Sequence, residues 1–230
     1  MESATSPYTE NYRDHYLSID DVYPSVFALK FFLGNNPDLN LRELNFKGKN
    51  ILDVGFGDGR DLILFRNLGF NVYGVEVDPQ VVQHTIEKFG DPNIHLKVGF
   101  NDETGFKHGQ FDYIYSCAAL MYLRNNQTSV HSILKHMYDL LAIGGRFLGT
   151  FTAADSHITA EAQYLSENRL VLKDPYYKQR NGQIYHIHRS AEEVERDLAL
   201  AGFTECKVYD FNANWFGTSE TAYMFYAEKN

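Results

Sequence analysis

The chain has 230 residues, 44% of them hydrophobic, enough for the core of one large α/β domain and too few for two independent ones. A formal net charge of −9 without a basic stripe argues against a nucleic-acid backbone as partner. No apolar run reaches membrane-spanning length, and Cys117 and Cys206 are the only cysteines, so a cytoplasmic protein with neither membrane contact nor a disulfide framework is expected.

In chain order, residues 1–20 are polar and tyrosine-rich. Tyr8, Tyr12, His15 and Tyr16 have helical spacing and read either as a lid helix or as a frayed tail. Pro24 is expected to open a helix reaching Gly34, with Val26, Leu29, Phe32 and Leu33 on the face that meets the sheet. A loop over 35–48 precedes a first strand at 49–54. A helix over 60–68, stopped by Gly69, leads to a second strand over 71–76. A helix from Pro79 to Phe89, a third strand over Ile94–Val98 and a fourth over Phe111–Ser116 follow. Next come a helix at 128–141 and a fifth strand at 145–151. Residues 152–189 have no clean period. Ser190-Ala191-Glu192-Glu193 reads as a capping box opening a helix that Gly202 closes. Strands over 204–211 and 221–228 are joined by a short link containing Gly217, so the last strand should be antiparallel. This alternation predicts an α/β fold with a mostly parallel sheet, helices on both faces and right-handed crossovers. Its ligand belongs beyond the carboxyl ends of the strands.

The stretch from Asp53 to Arg60 carries the most information. Gly55, Gly57 and Gly59 alternate after the first strand, where a tight bend lets a ligand lie against bare backbone. A dinucleotide fingerprint would place a glycine at Arg60 and bring a pyrophosphate onto the helix N-terminus. Here Asp53 ends the strand, and an acid repels a pyrophosphate but attracts an ammonium. Glu76 ends the second strand and can accept hydrogen bonds from both ribose hydroxyls.

Asp53-Val54-Gly55-Phe56-Gly57-Asp58-Gly59 resembles the first motif of the class I S-adenosylmethionine-dependent methyltransferases, and Glu76 matches their ribose-binding acid. Phe111-Asp112-Tyr113-Ile114-Tyr115-Ser116 and Leu140-Leu141-Ala142-Ile143-Gly144-Gly145-Arg146-Phe147-Leu148 are similar to later landmarks of that family. The resemblance implies a Rossmann-like seven-stranded sheet in the order 3-2-1-4-5-7-6. It also implies S-adenosylmethionine as methyl donor, with S-adenosylhomocysteine as product. On this reading the cofactor-binding residues are Asp53, Gly55, Phe56, Gly57, Gly59, Glu76, Val77, Phe100, Asn101 and Ser116. Asp78 either faces solvent or caps the helix beginning at Pro79. Phe100 stands where many members carry an adenine-binding acid, so either its ring stacks on the base or Asn101 holds it.

Methyl transfer from a sulfonium needs alignment and exclusion of water more than a catalytic side chain. A base helps a hydroxyl acceptor, and His15, His157 and His186 are the candidates, with His188 beside them. Tyr12, Tyr16, Tyr23, Tyr122, Tyr177, Arg189 and Trp215 are candidates for the acceptor pocket. A single domain over 1–230 is expected, with 1–48 supplying a lid and helix and 152–189 shaping the acceptor pocket. His186-x-His188 has no cysteine or acid at a recognisable metal-ligand spacing, so no metal is expected. The reading is a methyltransferase for a small molecule, a sugar or natural-product intermediate methylated on O or N, acting as a monomer or homodimer. The alternatives are a nicotinamide-dependent oxidoreductase, a non-catalytic S-adenosylmethionine-binding module, and a protein or RNA methyltransferase.

Overall fold

Two helices, α1 (Glu10–Leu17) and α2 (Val26–Leu33), precede the first strand, β1 (Asn50–Val54), in a computed structural model that describes residues 10–19, 21–41, 44–173, 178 and 180–230. Then α3 (Arg60–Asn67), β2 (Asn71–Glu76), α4 (Pro79–Phe89), β3 (Ile94–Val98) and β4 (Phe111–Ser116) alternate. The short β5 (Tyr122–Leu123) leads to α5 (Val130–Leu140) and β6 (Leu141–Thr152). Three further short strands follow, β7 (Gln163–Ser166), β8 (Arg169–Val171) and β9 (Ile184–His186). The chain ends with α6 (Ala191–Ala201), β10 (Thr204–Trp215) and β11 (Thr218–Lys229).

The main sheet has seven strands in the order β10-β11-β6-β4-β1-β2-β3. Counted along the chain within that sheet, this is 3-2-1-4-5-7-6, with β11 antiparallel to both neighbours. β1 lies parallel between β2 and β4, so Asp53 stands opposite Gly74 on one side and Tyr115 on the other. Alternation then sorts the residues by face. Ile51, Val72, Tyr113, Tyr115 and Leu148 face α2, α3 and α4, whereas Leu52, Val54, Ile114 and Phe147 face α5 and α6. Asp53 shares the parity of Ile51 and so lies on the α3 side.

Several local expectations need correction. Pro24 does not start α2. Ser25 is its N-cap, and its hydroxyl accepts a hydrogen bond from the Ala28 N–H at 3.1 Å. The buried face of α2 is Phe27, Ala28, Phe31 and Phe32, while Val26, Leu29 and Leu33 are exposed. Lys30 is the one polar residue in this helix, too little for periodicity to choose a face. Its rotation is set by the cap and by Phe32, which packs edge-on against Phe46, Phe65, Phe70 and Tyr115. The fifth strand begins at Leu141, directly after α5. The glycine turn expected before it is a register irregularity within β6, with Gly144 at φ +75°. β10 and β11 extend beyond their expected ends and meet at Phe216-Gly217, both at positive φ as a tight hairpin requires. At α6, Ser190 accepts from the Glu193 N–H, but the Glu193 carboxylate reaches back to the Arg189 N–H rather than to Ser190.

Residues 163–186 are not a plain loop. β7, β8 and β9 join β5 in an antiparallel four-stranded sheet, β5-β9-β8-β7. Its inner residue Tyr185 is fully buried and shares a 2.6 Å hydrogen bond with Thr152 at the end of β6. Among the described residues no helix is long and apolar enough to cross a membrane.

Candidate active site

The turn after β1 can be made only with glycine. Gly55, Gly57 and Gly59 have φ of +74°, +55° and +77°. A Cβ on Gly55 would lie 2.3 Å from the Ala119 Cβ, one on Gly57 would strike the Tyr16 ring, and one on Gly59 the Phe89 ring. The bend delivers the Gly57 N–H to Glu76, whose Oε2 accepts it at 3.1 Å, while Oε1 accepts from the Val77 N–H at 2.7 Å. Tyr12 of α1 donates a further hydrogen bond to the same carboxylate. Burial raises the Glu76 pKa, and these hydrogen bonds oppose the rise.

Asp53 is different. It is 3% exposed, and no donor among the described residues hydrogen-bonds its carboxylate. Burial first, then Asp61, Glu76 and Asp58, push its pKa well above the ordinary carboxylate value. All three neighbours have partners, those of Glu76 being the ones just described. Asp58 pairs with the Arg60 guanidinium, and its Oδ1 accepts from the Arg60 Nε at 2.9 Å. Asp61 accepts from the Ser25 N–H at 2.7 Å and from the Ser25 hydroxyl at 2.9 Å, and that hydroxyl also shares a hydrogen bond with Tyr115. Buried carboxylates that repel one another gain from an added cation and would resist a pyrophosphate. An ammonium or sulfonium on a nucleoside is therefore the ligand chemistry these residues fit, and the glycine bend leaves room beside it.

A crevice of about 580 Å³, including its open mouth, opens here, lined by Gly55, Glu76, Val77 and Asn101 and covered by Tyr12 and Tyr16. Arg13 fixes α1 over it through a 2.9 Å hydrogen bond to Asp78, which also caps α4 and is not solvent-facing. A second cavity of about 1090 Å³, including its open mouth, adjoins the first and shares Ala118 and Arg180 with it.

The other expected residues divide between these cavities and the frame around them. Tyr122 lines the crevice; His15, His157 and Trp215 line the adjoining cavity. Burial pushes the His15 pKa below the usual histidine value, and the His157 ring hydrogen-bonds the Ser219 carbonyl at 2.8 Å. Phe56 turns into the core, with its ring against Gly74. Phe100 lies under Arg124, 4.7 Å from the guanidinium carbon, and does not line the crevice, because β3 leads Gly99 and Asn101 inward and Phe100 outward. Asn101 commits its amide group to the carbonyls of Ala119 at 3.0 Å and Tyr122 at 2.9 Å. Ser116 is fully buried and donates to the Val54 carbonyl, which ties β4 to β1. Tyr23 is 78% exposed, and Arg189 reaches out to the Glu167 carbonyl. Tyr177 and Tyr8 lie outside the described residues.

His186 lines neither cavity. It lies beside His188, and the acid that looked missing in the sequence is Asp197, whose Oδ2 is 3.0 Å from the His188 Nε2. Nothing in the spacing His186-x-His188 pointed to an acid on the following helix. Arg180 also escaped attention, because its segment has no period and its position at the seam of two cavities depends on the small sheet. Asp61 was legible only as an acid in the first turn of α3.

Comparison with known proteins agrees with this geometry. A family described as a methyltransferase domain matches residues 32–207. A stretch of 75 residues is 36% identical to 2-methyl-6-phytyl-1,4-hydroquinone methyltransferase of Synechocystis sp., covering 31% of this chain and only 23% of that protein. An S-adenosylmethionine-dependent methyltransferase from Mesorhizobium loti superposes with a TM-score of 0.62 at 17% identity, over 80% of this chain and 93% of the other. The Burkholderia thailandensis 1,6-didemethyltoxoflavin-N1-methyltransferase, solved with 1,6-didemethyltoxoflavin and S-adenosylhomocysteine, gives 0.58 at 17% identity over 80% and 72%. A Haemonchus contortus phosphoethanolamine N-methyltransferase, bound to phosphomonomethylethanolamine and S-adenosylhomocysteine, gives 0.62 at 17% identity over 95% and 56%. At these identities the superpositions speak to the fold, whereas the family match extends over most of the sequence: the chain belongs to the methyltransferase-domain family.

Proposed function

We propose that the acceptor is a small molecule bearing an anionic group, methylated on oxygen or nitrogen in the cavity that adjoins the cofactor crevice. The observation that carries this reading is Arg180. Its guanidinium borders both cavities, 5.7 Å from the centre of the Tyr122 ring. Its main electrostatic neighbours are the tyrosines Tyr122, Tyr16, Tyr185 and Tyr12, and no carboxylate among the described residues pairs with it. A partly buried cation surrounded by phenols has its counter-charge still to come, and a ligand carboxylate or phosphate can provide it in bidentate fashion. The relatives solved with small acceptors favour the same size class.

Bound S-adenosylmethionine supplies an activated methyl group on a sulfonium. The residues of the chain then have three tasks. Asp53 and Glu76 hold the ammonium and the ribose, with the backbone of Gly55 and Gly57 beneath them and Val77 and Asn101 beside the base. Tyr12 and Tyr16, on the 1–48 lid, close the crevice against water. The small sheet in the 152–189 insertion, with Arg180, orients the acceptor so that its lone pair faces the methyl carbon. An acceptor held there would take the methyl group in line, with the electrons of the broken carbon–sulfur bond left on sulfur. Where the acceptor is a hydroxyl, His15 or His157 takes the proton, and the lowered pKa of His15 keeps it neutral for that task.

Incubation with methyl-labelled donor and a fractionated metabolite pool tests the proposal. Label should enter molecules of the anionic fraction. Arg180→Met should lose about tenfold or more in kcat/KM for them, as a charge-assisted contact is worth about 1.5–3 kcal/mol, while still binding S-adenosylhomocysteine. Labelling confined to neutral or cationic molecules, or an Arg180→Met enzyme with unchanged kcat/KM, would refute it.

A further inference from the structure

We propose that His186, His188 and Asp197 form a structural site for one divalent transition-metal ion, with Zn(II) the best match, outside both methyl-transfer cavities. His186 ends β9, and His188 follows two residues later on the same side, with ring centroids 4.7 Å apart. Asp197 projects from α6. One donor atom from each of the three residues lies within 4.8 Å of the other two.

The independent observation is a pair of unmatched nitrogens. Nε2 of His186 and Nδ1 of His188 are buried and find no hydrogen-bond partner among the described residues. His188 itself is 0% exposed and is packed against the Phe151 ring. The His188–Asp197 hydrogen bond at 3.0 Å occupies Nε2 of His188 and leaves Nε2 of His186 unmatched, and one ion shared by the three residues would meet one nitrogen of each ring. Buried polar atoms in native proteins are nearly always matched, so this cluster asks for a ligand. Two imidazoles and one carboxylate suit Zn(II), whereas Ca(II) and Mg(II) would want oxygen throughout and Cu(I) would want sulfur. The Asp197 side chain is 16% exposed, which leaves an approach for the ion and for a water in its remaining position.

The surrounding charges set limits on the site. Arg169 acts on His186, but its guanidinium is occupied by the carbonyls of Asn125, Asn126 and Thr128. Arg196 stands 3.7 Å from the second oxygen of Asp197 and is largely exposed, free to turn to solvent. Glu193, on the same helix, is engaged by the Arg189 N–H and Asn168. The ion would clamp β9, and with it the small sheet, to α6. No atom of the transferred methyl group or its acceptor need touch it.

The test uses tag-free protein, dialysed against chelator and then titrated with ZnCl2, with CoCl2 as a spectroscopic probe. One equivalent of Zn(II) should bind, Co(II) should show the visible bands of a low-coordinate nitrogen–oxygen site, and Tm should rise by about 5 °C or more at a hundredfold excess over Kd. Both His186→Ala and Asp197→Asn should lose the Co(II) bands and the Tm shift. The second variant is isosteric and keeps a hydrogen-bonding partner for His188, so it reports even if the first fails to fold. Absence of stoichiometric binding in the natural chain, or binding that survives in Asp197→Asn, would overturn the proposal.

Discussion

Asp53→Asn should make the free protein more stable and the cofactor bind more weakly. The carboxylate is almost wholly buried and has no hydrogen-bond donor to lose among the described residues, and Asp61, Glu76 and Asp58 act on it as like charges. Replacing it with a neutral isostere removes that repulsion and creates no cavity. A gain of about 1 kcal/mol, ordinary for a single site, raises Tm by about 2–4 °C in a chain of this size. Binding moves the other way. The charge-assisted contact to a ligand ammonium is worth about 1.5–3 kcal/mol, so Kd for S-adenosylhomocysteine should rise about ten- to hundredfold. Scanning calorimetry of the free protein and titration calorimetry with S-adenosylhomocysteine read the two effects separately. A variant with lower Tm and unchanged Kd would show that Asp53 serves the fold and that the crevice does not need a cation there.

Glu76→Gln should behave oppositely in stability. Its two oxygens accept from the Gly57 and Val77 N–H groups, and an amide nitrogen in place of either oxygen confronts a donor with a donor. A loss of about 1–3 kcal/mol is expected, read as a lower denaturant midpoint. Ser25→Ala removes the cap of α2 and the hydroxyl donor to Asp61, leaving only the backbone N–H contact, and should cost about 2–3 kcal/mol in the same measurement. It should also cost more than Ser129→Ala, which removes only the exposed capping box of α5. The free protein should lose stability as pH rises. Asp53, Asp61 and Glu76 all have folded pKa values above the unfolded ones, so between the two the native state holds more protons. The decline begins near the unfolded carboxylate value of about 4 and runs to the raised folded values. Urea midpoints against pH should show this slope, and Asp53→Asn should flatten it; an upward slope through this window would contradict the burial argument.

The main sheet was legible because its strands are either continuously apolar or alternating and are separated by glycine and proline punctuation. The strand order followed from resemblance rather than from pattern. The glycine bend and its two acids were legible for a different reason: few other arrangements need three alternating glycines between carboxylates. What failed was local. The apolar sequence of α2 holds no phase, so its buried face was misjudged until Phe32 and Ser25 set it. Resemblance puts Phe100 at the base, yet the turn after β3 sends its ring under Arg124 and Asn101 to the crevice. The small sheet was missed because strands of two to four residues carry too little period to stand out. Arg180, Tyr185, His188 and Asp197 depend on that sheet, and their roles became readable only with it.

The amide of Asn101 has a wider bearing on kinetics. One side of this residue borders the donor's crevice, and its nitrogen grips the carbonyl of Tyr122, where the edge strand of the small sheet begins; the ring of that tyrosine in turn lies beside Arg180, which borders both cavities. Loading the donor is thus expected to brace Arg180 before any acceptor arrives. Turnover should then follow a compulsory sequence, donor first and spent nucleoside last, and product-inhibition patterns that are competitive only between the two nucleosides would reveal it.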